Sequence, residues 1–306
     1  MNIIEPGLYE MPAAQYHADC CSPISLSRGI AHMLIRQSPE HAHWHHPKLG
    51  GHDDIEASHV MDDGSVIHEL LLGKGSGIVP LTAVYGPKHE LAGQPVRDYR
   101  TKDAKEEHDA IVALGKTPVL QHRLVELKAI AEIAEVKLLL HPEGGDFFAP
   151  GRSEVVGVSE EAGALLRVMV DRLPDDPALP PYDLKLTKLS AAPGGWERRF
   201  LTEYAFQGSF YSRVLCGAEG FKRPPMRFIV IESEPPHGVV LFAAAPSLIE
   251  LASRDVEKSI RVWRNCLSTD SWPGYPPFTM HIEAPPWLQM RAEEQELRED
   301  MMEDES

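Results

Sequence analysis

The sequence predicts an α/β protein with one mixed central sheet flanked by helices. Two observations carry this prediction. Helical patterns dominate the chain up to about residue 140, and from Gly151 onward short β-branched and apolar runs alternate with helical patterns. From residue 61 the predicted order is helices, three strands, a helix, two strands and a final helix. A length of 306 residues is enough for one large domain or two smaller ones.

The composition is that of a globular protein. Hydrophobic residues make up 43% of the chain, the mean hydropathy is -0.25, and no apolar run approaches the ~20 residues of a membrane span. The first residues, MNIIEPGLYEMP, lack the pattern of a targeting segment, so we expect a cytoplasmic protein. Four cysteines without a C-x-x-C pair predict neither a zinc site nor an iron–sulfur cluster.

The charge is strongly negative, at -16. Such a charge argues against non-specific binding to nucleic acid, whose phosphates attract basic surfaces. Part of it is local, because the last sixteen residues contain eight acids and two arginines. We predict a flexible acidic tail at residues 285–306, with a docking element as the alternative.

The N-terminal part, residues 1–60, is predicted as an arm and a helix that pack on the core. The stretch SLSRGIAHMLIRQSPEH indicates a short helix with Ser25 as its N-cap, ended by Ser38-Pro39. The following HAHWHHPKLGGHDD is polar, histidine-rich and interrupted by glycines, which predicts an exposed loop. A zinc site is the alternative, but these histidines lack the spacing that a structural zinc site favours. The stretch MDDGSVIHELLLG then predicts a mostly buried helix.

The predicted core spans residues 61–284, with a helical insertion at about 98–140. Its strands begin with a hairpin, RSEVVGVS and GALLRVMVDRLP, and continue with YDLKLTKL. A helix, ERRFLTEYAFQGSFYSRVLC, precedes the strands RFIVIES and GVVLFAAA, and PSLIELASRDVEKSIRVWRNCL forms the last core helix.

Two of these strands bring charged residues together. Residues two apart on a strand share a face, so Asp183 and Lys185 project together, and Asp171 near the end of the preceding strand is predicted beside them. Two buried carboxylates repel each other, and a hard divalent cation offsets that repulsion. An isolated D-x-K on an exposed edge strand remains the alternative.

The surrounding residues support the site. Glu154 lies on the preceding strand, and Gln207 and Tyr211 are four residues apart on the next helix. Together with Gly64-x3-His68, this order resembles the PD-(D/E)XK nuclease superfamily in its RecB/RecE-like branch. The stretches GLYEMPAAQYHAD, SLSRGIAHML, SPEHAHWHHPKL, EPPHGVVLF and WPGYPP resemble the phage and prophage exonuclease VIII-type proteins, so the resemblance covers about residues 5 to 280.

The resemblance implies a restriction-endonuclease-like fold, with a helical N-terminal region added, and a role for each residue. Asp171, Asp183 and the Leu184 carbonyl would bind a metal, Mg²⁺ or alternatively Mn²⁺. His68 would complete a second metal position, and Glu154 would be a metal ligand or would contact one. Lys185, with the two aspartates, would be catalytic, orienting or deprotonating the attacking water. Gln207, Tyr211 and Arg167 would contact the DNA.

The resemblance further implies a metal-dependent exodeoxyribonuclease that resects linear duplex DNA from its ends, 5′ to 3′. It implies a single-strand annealing recombination protein as partner and a ring-like homo-oligomer. An endonuclease on the same core is one alternative. A non-catalytic DNA-binding module is another, because Met169 stands where relatives often carry a basic residue. We expect a basic groove to offset the overall charge, formed by Arg167, Lys185, Lys188, Arg198, Arg199 and Arg213.

Overall fold

The computed structural model describes residues 2–50 and 59–304. They divide into two compact units, Met1–Gly274 and Tyr275–Ser306. Within the second unit, part of the predicted acidic tail forms helix α10 (Pro286–Asp304). In the described part of the chain, no helix combines the length and the apolar character that crossing a membrane requires.

The first unit contains the other helices and all the strands. Its helices are α1 (Ala13–His17), α2 (Arg28–Arg36), α3 (Pro39–His45), α4 (His59–Leu72), α5 (Lys102–Ala113), α6 (Gln121–Leu140), α7 (Pro193–Arg199), α8 (Ala205–Glu219) and α9 (Pro246–Thr269). A 3-10 turn forms at Gly145–Phe148, and a π-helix, Phe200–Tyr204, leads directly into α8. The strands are β1 (Gly7–Glu10), β2 (Ser25–Ser27), β3 (Ile78–Pro80), β4 (Thr117–Val119), β5 (Gly151–Glu161), β6 (Ala164–Pro174), β7 (Tyr182–Thr187), β8 (Arg227–Glu232) and β9 (Val239–Ala243).

The predicted mixed sheet is confirmed. Its order is β1-β5-β6-β7-β8-β9, and β2 pairs with β6 beside this path. Most pairs are antiparallel, but β7 runs parallel to β8 and β2 runs parallel to β6. The predicted hairpin is the β5–β6 pair, which turns at Ala162 and Gly163, where both residues have positive φ. A separate parallel pair joins β3, which precedes the region predicted as helical insertion, to β4, which lies within that region.

A fork in the sheet positions the site. Strands β6 and β7 pair only at Arg172 and Tyr182 and separate beyond that point. Farther along β6, residues 165–167 pair with β2 instead. The residues next to the single pair, Asp171 on β6 and Asp183 on β7, therefore stand where the two strands diverge.

Helices cover both faces of the sheet. The alternation along β6 places Leu166, Val168 and Val170 in the core formed with α2, α8 and α9. A second core, on the side of α4 and α6, includes Tyr182 and Leu184 of β7. The N-terminal arm adds a third cluster around Val156 and Leu165. Strands β6 and β7 thus pack against helices on both faces of the sheet.

A buried polar network joins the N-terminal arm to β6. Asp19 accepts a hydrogen bond from Ser25 Oγ at 2.6 Å, and its Oδ1 lies 3.0 Å from Arg167 Nη1. The buried ring of His46 contacts the Ser25 carbonyl at 3.1 Å. These groups are almost completely excluded from water, so each depends on the others for its hydrogen bonds. The network fixes β2 beside β6.

Two local predictions for the arm are wrong. Ser25 does not cap a helix, because residues 25–27 form β2, and Ser27 caps α2 by accepting from the Ile30 amide. The predicted histidine-rich loop contains α3, which begins with Pro39 at its first position and is capped by Ser38. Residues 51–54 of that loop lie outside the described residues.

Candidate active site

The fork brings three of the predicted residues together. Lys185 Nζ lies 2.5 Å from Asp183 Oδ2, and Asp171 Oδ2 accepts a hydrogen bond of 2.7 Å from the Leu184 amide. The Lys185 ammonium is the charged partner of Asp183 Oδ2, and this buried oxygen makes no other hydrogen bond within the described residues.

His68 closes the site from the side of α4. Its Nε2 lies 3.0 Å from the Leu184 carbonyl oxygen and 3.7 Å from Asp171 Oδ2. The helix places His68 there because the same turn buries Val66 and Ile67 in the core next to β7. The structure thus brings His68 to the two groups, Asp171 and the Leu184 carbonyl, with which it was predicted to bind a metal.

Burial perturbs the charged groups of the site. Burial raises the pKa of Asp171 from 3.8 to about 6, with a further increase from Asp183, while His68 and Lys185 oppose it. Burial alone would lower the pKa of Lys185, but Asp183 and Asp171 outweigh it and raise that pKa above its ordinary value. The site therefore concentrates negative charge that Lys185 compensates only in part.

Gln207 and Tyr211 lie on the turn of α8 that faces the fork. Gln207 donates from Nε2 to Asp183 Oδ1 at 2.5 Å and is only 5% exposed. Both ends of its amide are used inside the protein, so its predicted contact with the DNA strand is replaced by a contact with a carboxylate. Tyr211 is buried as well, and burial raises the pKa of its phenol well above the ordinary value.

Arg28, at the start of α2, is part of the site and was not predicted. Its Nη2 donates to Gln207 Oε1 at 3.1 Å. No local pattern distinguishes Arg28 from other basic residues in the first turn of a helix. Its position depends on the pairing of β2 with β6, which brings a segment from the start of the chain to the fork.

Arg167 corrects one prediction. It was expected to contact DNA, but it is 2% exposed. Its guanidinium donates to the Ser25 carbonyl and hydroxyl at 2.6 and 2.8 Å and stacks over the Tyr16 ring. Arg213, expected in the same basic groove, is bound by Glu161 and Glu257. Lys188, Arg198 and Arg199 remain exposed at the end of β7 and on α7.

Glu154 lies on β5, the strand that pairs with β6. By register it stands opposite Asp171, because Ser153 pairs with Arg172 and Val155 with Val170. Its backbone has a φ of 51°, which interrupts the ladder. Its side chain lines a separate cavity of about 540 Å³ together with Glu10 and Lys74. The contribution of Glu154 to metal binding stays a prediction.

The donor set suits a divalent cation. Across residues 2–50 and 59–304, no three His, Cys, Asp or Glu side chains form a ready-made metal site. The fork nevertheless offers the carboxylates of Asp171 and Asp183 and the Leu184 carbonyl, which are the oxygen ligands that hard cations prefer. An observation in favour is that Asp171 and Asp183 share the single ammonium of Lys185, and the charge of Asp183 adds to the raised pKa of the buried Asp171.

The forked sheet and its Asp, Asp and Lys residues define a domain of the PD-(D/E)XK nuclease superfamily. A family model described as "PDDEXK-like domain of unknown function (DUF3799)" matches residues 100–277. This match covers more than half of the chain, so the chain belongs to that family. The matched segment includes Asp171, Asp183 and Lys185, whereas Arg28 and His68 lie before it. PDDEXK nucleases typically use divalent metal ions.

One solved structure supports the fold. The chain is similar to a protein from Eubacterium rectale named "Putative exonuclease", with a TM-score of 0.52 and 12% sequence identity. The alignment covers 90% of this chain and 96% of that chain. At this identity the likeness concerns the fold alone. No curated protein matches the chain.

Proposed function

We propose that the chain is a metal-dependent exodeoxyribonuclease that hydrolyses phosphodiester bonds at the ends of linear duplex DNA. The observation that carries the proposal is the fork, where the buried carboxylates of Asp171 and Asp183 meet the ammonium of Lys185. The family supports a nuclease. The name of the structural neighbour and the resemblance to exonuclease VIII-type proteins support action from DNA ends.

Each residue has a role in this proposal. Asp171, Asp183 and the Leu184 carbonyl would hold Mg²⁺, with Mn²⁺ as a substitute, and His68 would contribute a nitrogen ligand. The bound cation supplies a Lewis acid for the phosphodiester oxygens. The ammonium of Lys185, held at the fork by Asp183, would stabilise negative charge that develops on the phosphate. Exposed Lys188, Arg198 and Arg199 would contact the DNA backbone.

The first experiment measures nucleotide release from linear duplex DNA labelled at the 5′ or the 3′ end. We expect release with Mg²⁺ or Mn²⁺, none with chelator, and a loss of at least ~100-fold in Lys185→Ala. Lys222→Ala is the matched control, because Lys222 is an exposed lysine in the segment after α8. Release from the 5′ label first would support 5′-to-3′ polarity.

Closed circular duplex separates the alternatives. An exonuclease leaves it intact, whereas cleavage of the circle would replace the proposal with the endonuclease. A folded protein that degrades neither substrate with either metal would contradict a catalytic function and favour the non-catalytic DNA-binding module. The annealing partner and the ring-like oligomer remain predictions of the resemblance.

A further inference from the structure

A chain of contacts leads from the N-terminal arm to the catalytic lysine. Arg28 Nη2 donates to Gln207 Oε1 at 3.1 Å, and Gln207 Nε2 donates to Asp183 Oδ1 at 2.5 Å. The other oxygen of Asp183 faces Lys185 Nζ at 2.5 Å. Arg28 therefore reaches Asp183 through a single amide group.

That amide has one favourable orientation. A guanidinium has only hydrogen-bond donors, and an ionised carboxylate has only acceptors. With Gln207 Oε1 toward Arg28 and Nε2 toward Asp183, both contacts are hydrogen bonds. Rotating the amide by half a turn would place its oxygen against the carboxylate and its N–H groups against the guanidinium. Arg28 thus keeps the Gln207 N–H group directed at Asp183 Oδ1, so Asp183 Oδ2 receives no hydrogen bond from this amide.

The arm holds Arg28 firmly. Ser27 caps α2 immediately before it, and one turn later His32 Nε2 lies 3.4 Å from the Thr202 carbonyl of the π-helix. Arg28 Nη2 also approaches the Glu203 carbonyl at 3.5 Å. Its Nε is buried and has no hydrogen-bond partner among the described residues. Burying a donor without a partner costs free energy, which indicates that Arg28 is needed at this position for more than its packing.

We propose that Arg28 is a positioning residue for the cation site, acting on Asp183 through Gln207. This inference rests on the proposed role of Asp183 as a metal ligand. Without Arg28, the Gln207 amide loses the group that fixes its orientation, and the carboxylate of Asp183 loses a fixed geometry for binding. Groups that orient metal ligands in this way are typically worth ~10- to 100-fold in metal affinity.

If Arg28 acted only through its charge, its removal would have the opposite effect on the cation affinity. The guanidinium of Arg28 repels a cation bound nearby, so removing it should tighten cation binding if Arg28 acts only as a charge. If Arg28 acts through Gln207, removing it should weaken binding, but only while Gln207 is present. A double-mutant cycle separates the two effects.

The experiment measures Mn²⁺ affinity by titration calorimetry of the metal-free full-length chain, without DNA. It compares wild type, Arg28→Met, Gln207→Met and the double variant. We expect Arg28→Met to weaken Mn²⁺ binding by ~10-fold in wild type and not to weaken it in Gln207→Met. Arg36→Met is the control, because Arg36 is an exposed arginine at the other end of α2.

The outcomes distinguish the two proposals. If the wild type binds Mn²⁺ and Arg28→Met changes the affinity equally in both backgrounds, Arg28 does not act through Gln207 and this inference is wrong, while the nuclease proposal stands. If the wild type binds no Mn²⁺, both proposals fail. Circular dichroism of each variant establishes that a loss of binding does not reflect unfolding, and Arg28→Lys, which retains a donor and the charge, should recover part of the affinity.

Discussion

Asp171 shows how a buried carboxylate reduces stability. Burial raises the pKa of this group from 3.8 to about 6, which means that the folded protein disfavours the charged form. Because the folded-state pKa lies above the unfolded one, the destabilisation is complete above about pH 6 and disappears below the ordinary pKa. The neutral form would suit the metal-free fold better than the carboxylate does.

We therefore expect Asp171→Asn to stabilise the metal-free protein at pH 7 by ~1–3 kcal/mol. This is the free energy that corresponds to the pKa shift, with the lower values allowing for relaxation of the protein around the new side chain. The asparagine oxygen retains the hydrogen bond from the Leu184 amide. Denaturant unfolding at pH 7 and pH 4 tests this, and the difference from wild type should shrink at the lower pH. Asp109→Asn, at an exposed position, should change stability by less than ~0.5 kcal/mol. If Asp171→Asn is less stable than wild type at pH 7, the conclusion that the charged carboxylate of Asp171 destabilises the fold is wrong.

Helix α8 presents Gln207 to the fork because it packs closely on the sheet. Gly217, near its end, faces β5, and a Cβ atom there would lie 2.7 Å from the Cβ of Ser159. Gly208, earlier in the helix, has its nearest neighbour, a Phe228 ring carbon, at 3.4 Å. The two glycines lie in the same helix but differ in the space available for a side chain.

We expect Gly217→Ala to lower the free energy of unfolding by ~1–3 kcal/mol, because the backbone of α8 must move away from β5. Gly208→Ala is the matched control and should be neutral or slightly stabilising, since alanine favours a helix more than glycine does. Thermal unfolding of both variants measures the difference. Equal midpoints would show that α8 adjusts its distance from the sheet without cost.

The elements that the sequence predicts correctly are those defined by local patterns. The β5–β6 hairpin, α5, α6 and α9 follow from periodicity and turn residues that are neighbours in sequence. Strand β2 has only three residues, and its partner on β6 lies about 140 positions later, so no local pattern indicates it. The burial of Arg167 and the position of Arg28 both depend on that pairing, which is why sequence analysis misplaced the first and missed the second.

At the scale of the whole molecule, the negative charge opposes binding to DNA. The acidic segment at residues 285–306 holds eight acids and two arginines, so the remainder of the chain carries -10. Arg213 and Arg223 are neutralised by neighbouring carboxylates, whereas Lys188, Arg198 and Arg199 are exposed at the end of β7 and on α7. Long-range repulsion between the acidic segment and the DNA phosphates opposes binding at that small basic surface.

Deleting residues 285–306 should therefore strengthen binding to duplex DNA at low ionic strength. Salt screens interactions over ~10 Å at 0.1 M, so we expect a several-fold gain at 0.02 M salt that largely disappears near 0.3 M. Fluorescence anisotropy of a labelled duplex with metal-free protein measures both affinities. Weaker binding after the deletion would instead assign a positive role in DNA binding to the segment.

The N-terminal arm folds onto a strand that is synthesised much later. Strand β2 ends at Ser27, and the residues of β6 that it joins begin at Leu165. During translation the arm must therefore wait for most of the chain, and closing so long a loop is a slow step in folding. We expect the fork to be completed only in the finished sheet. A nascent chain would then lack an assembled site until the strands β6, β7 and β8 have all been synthesised.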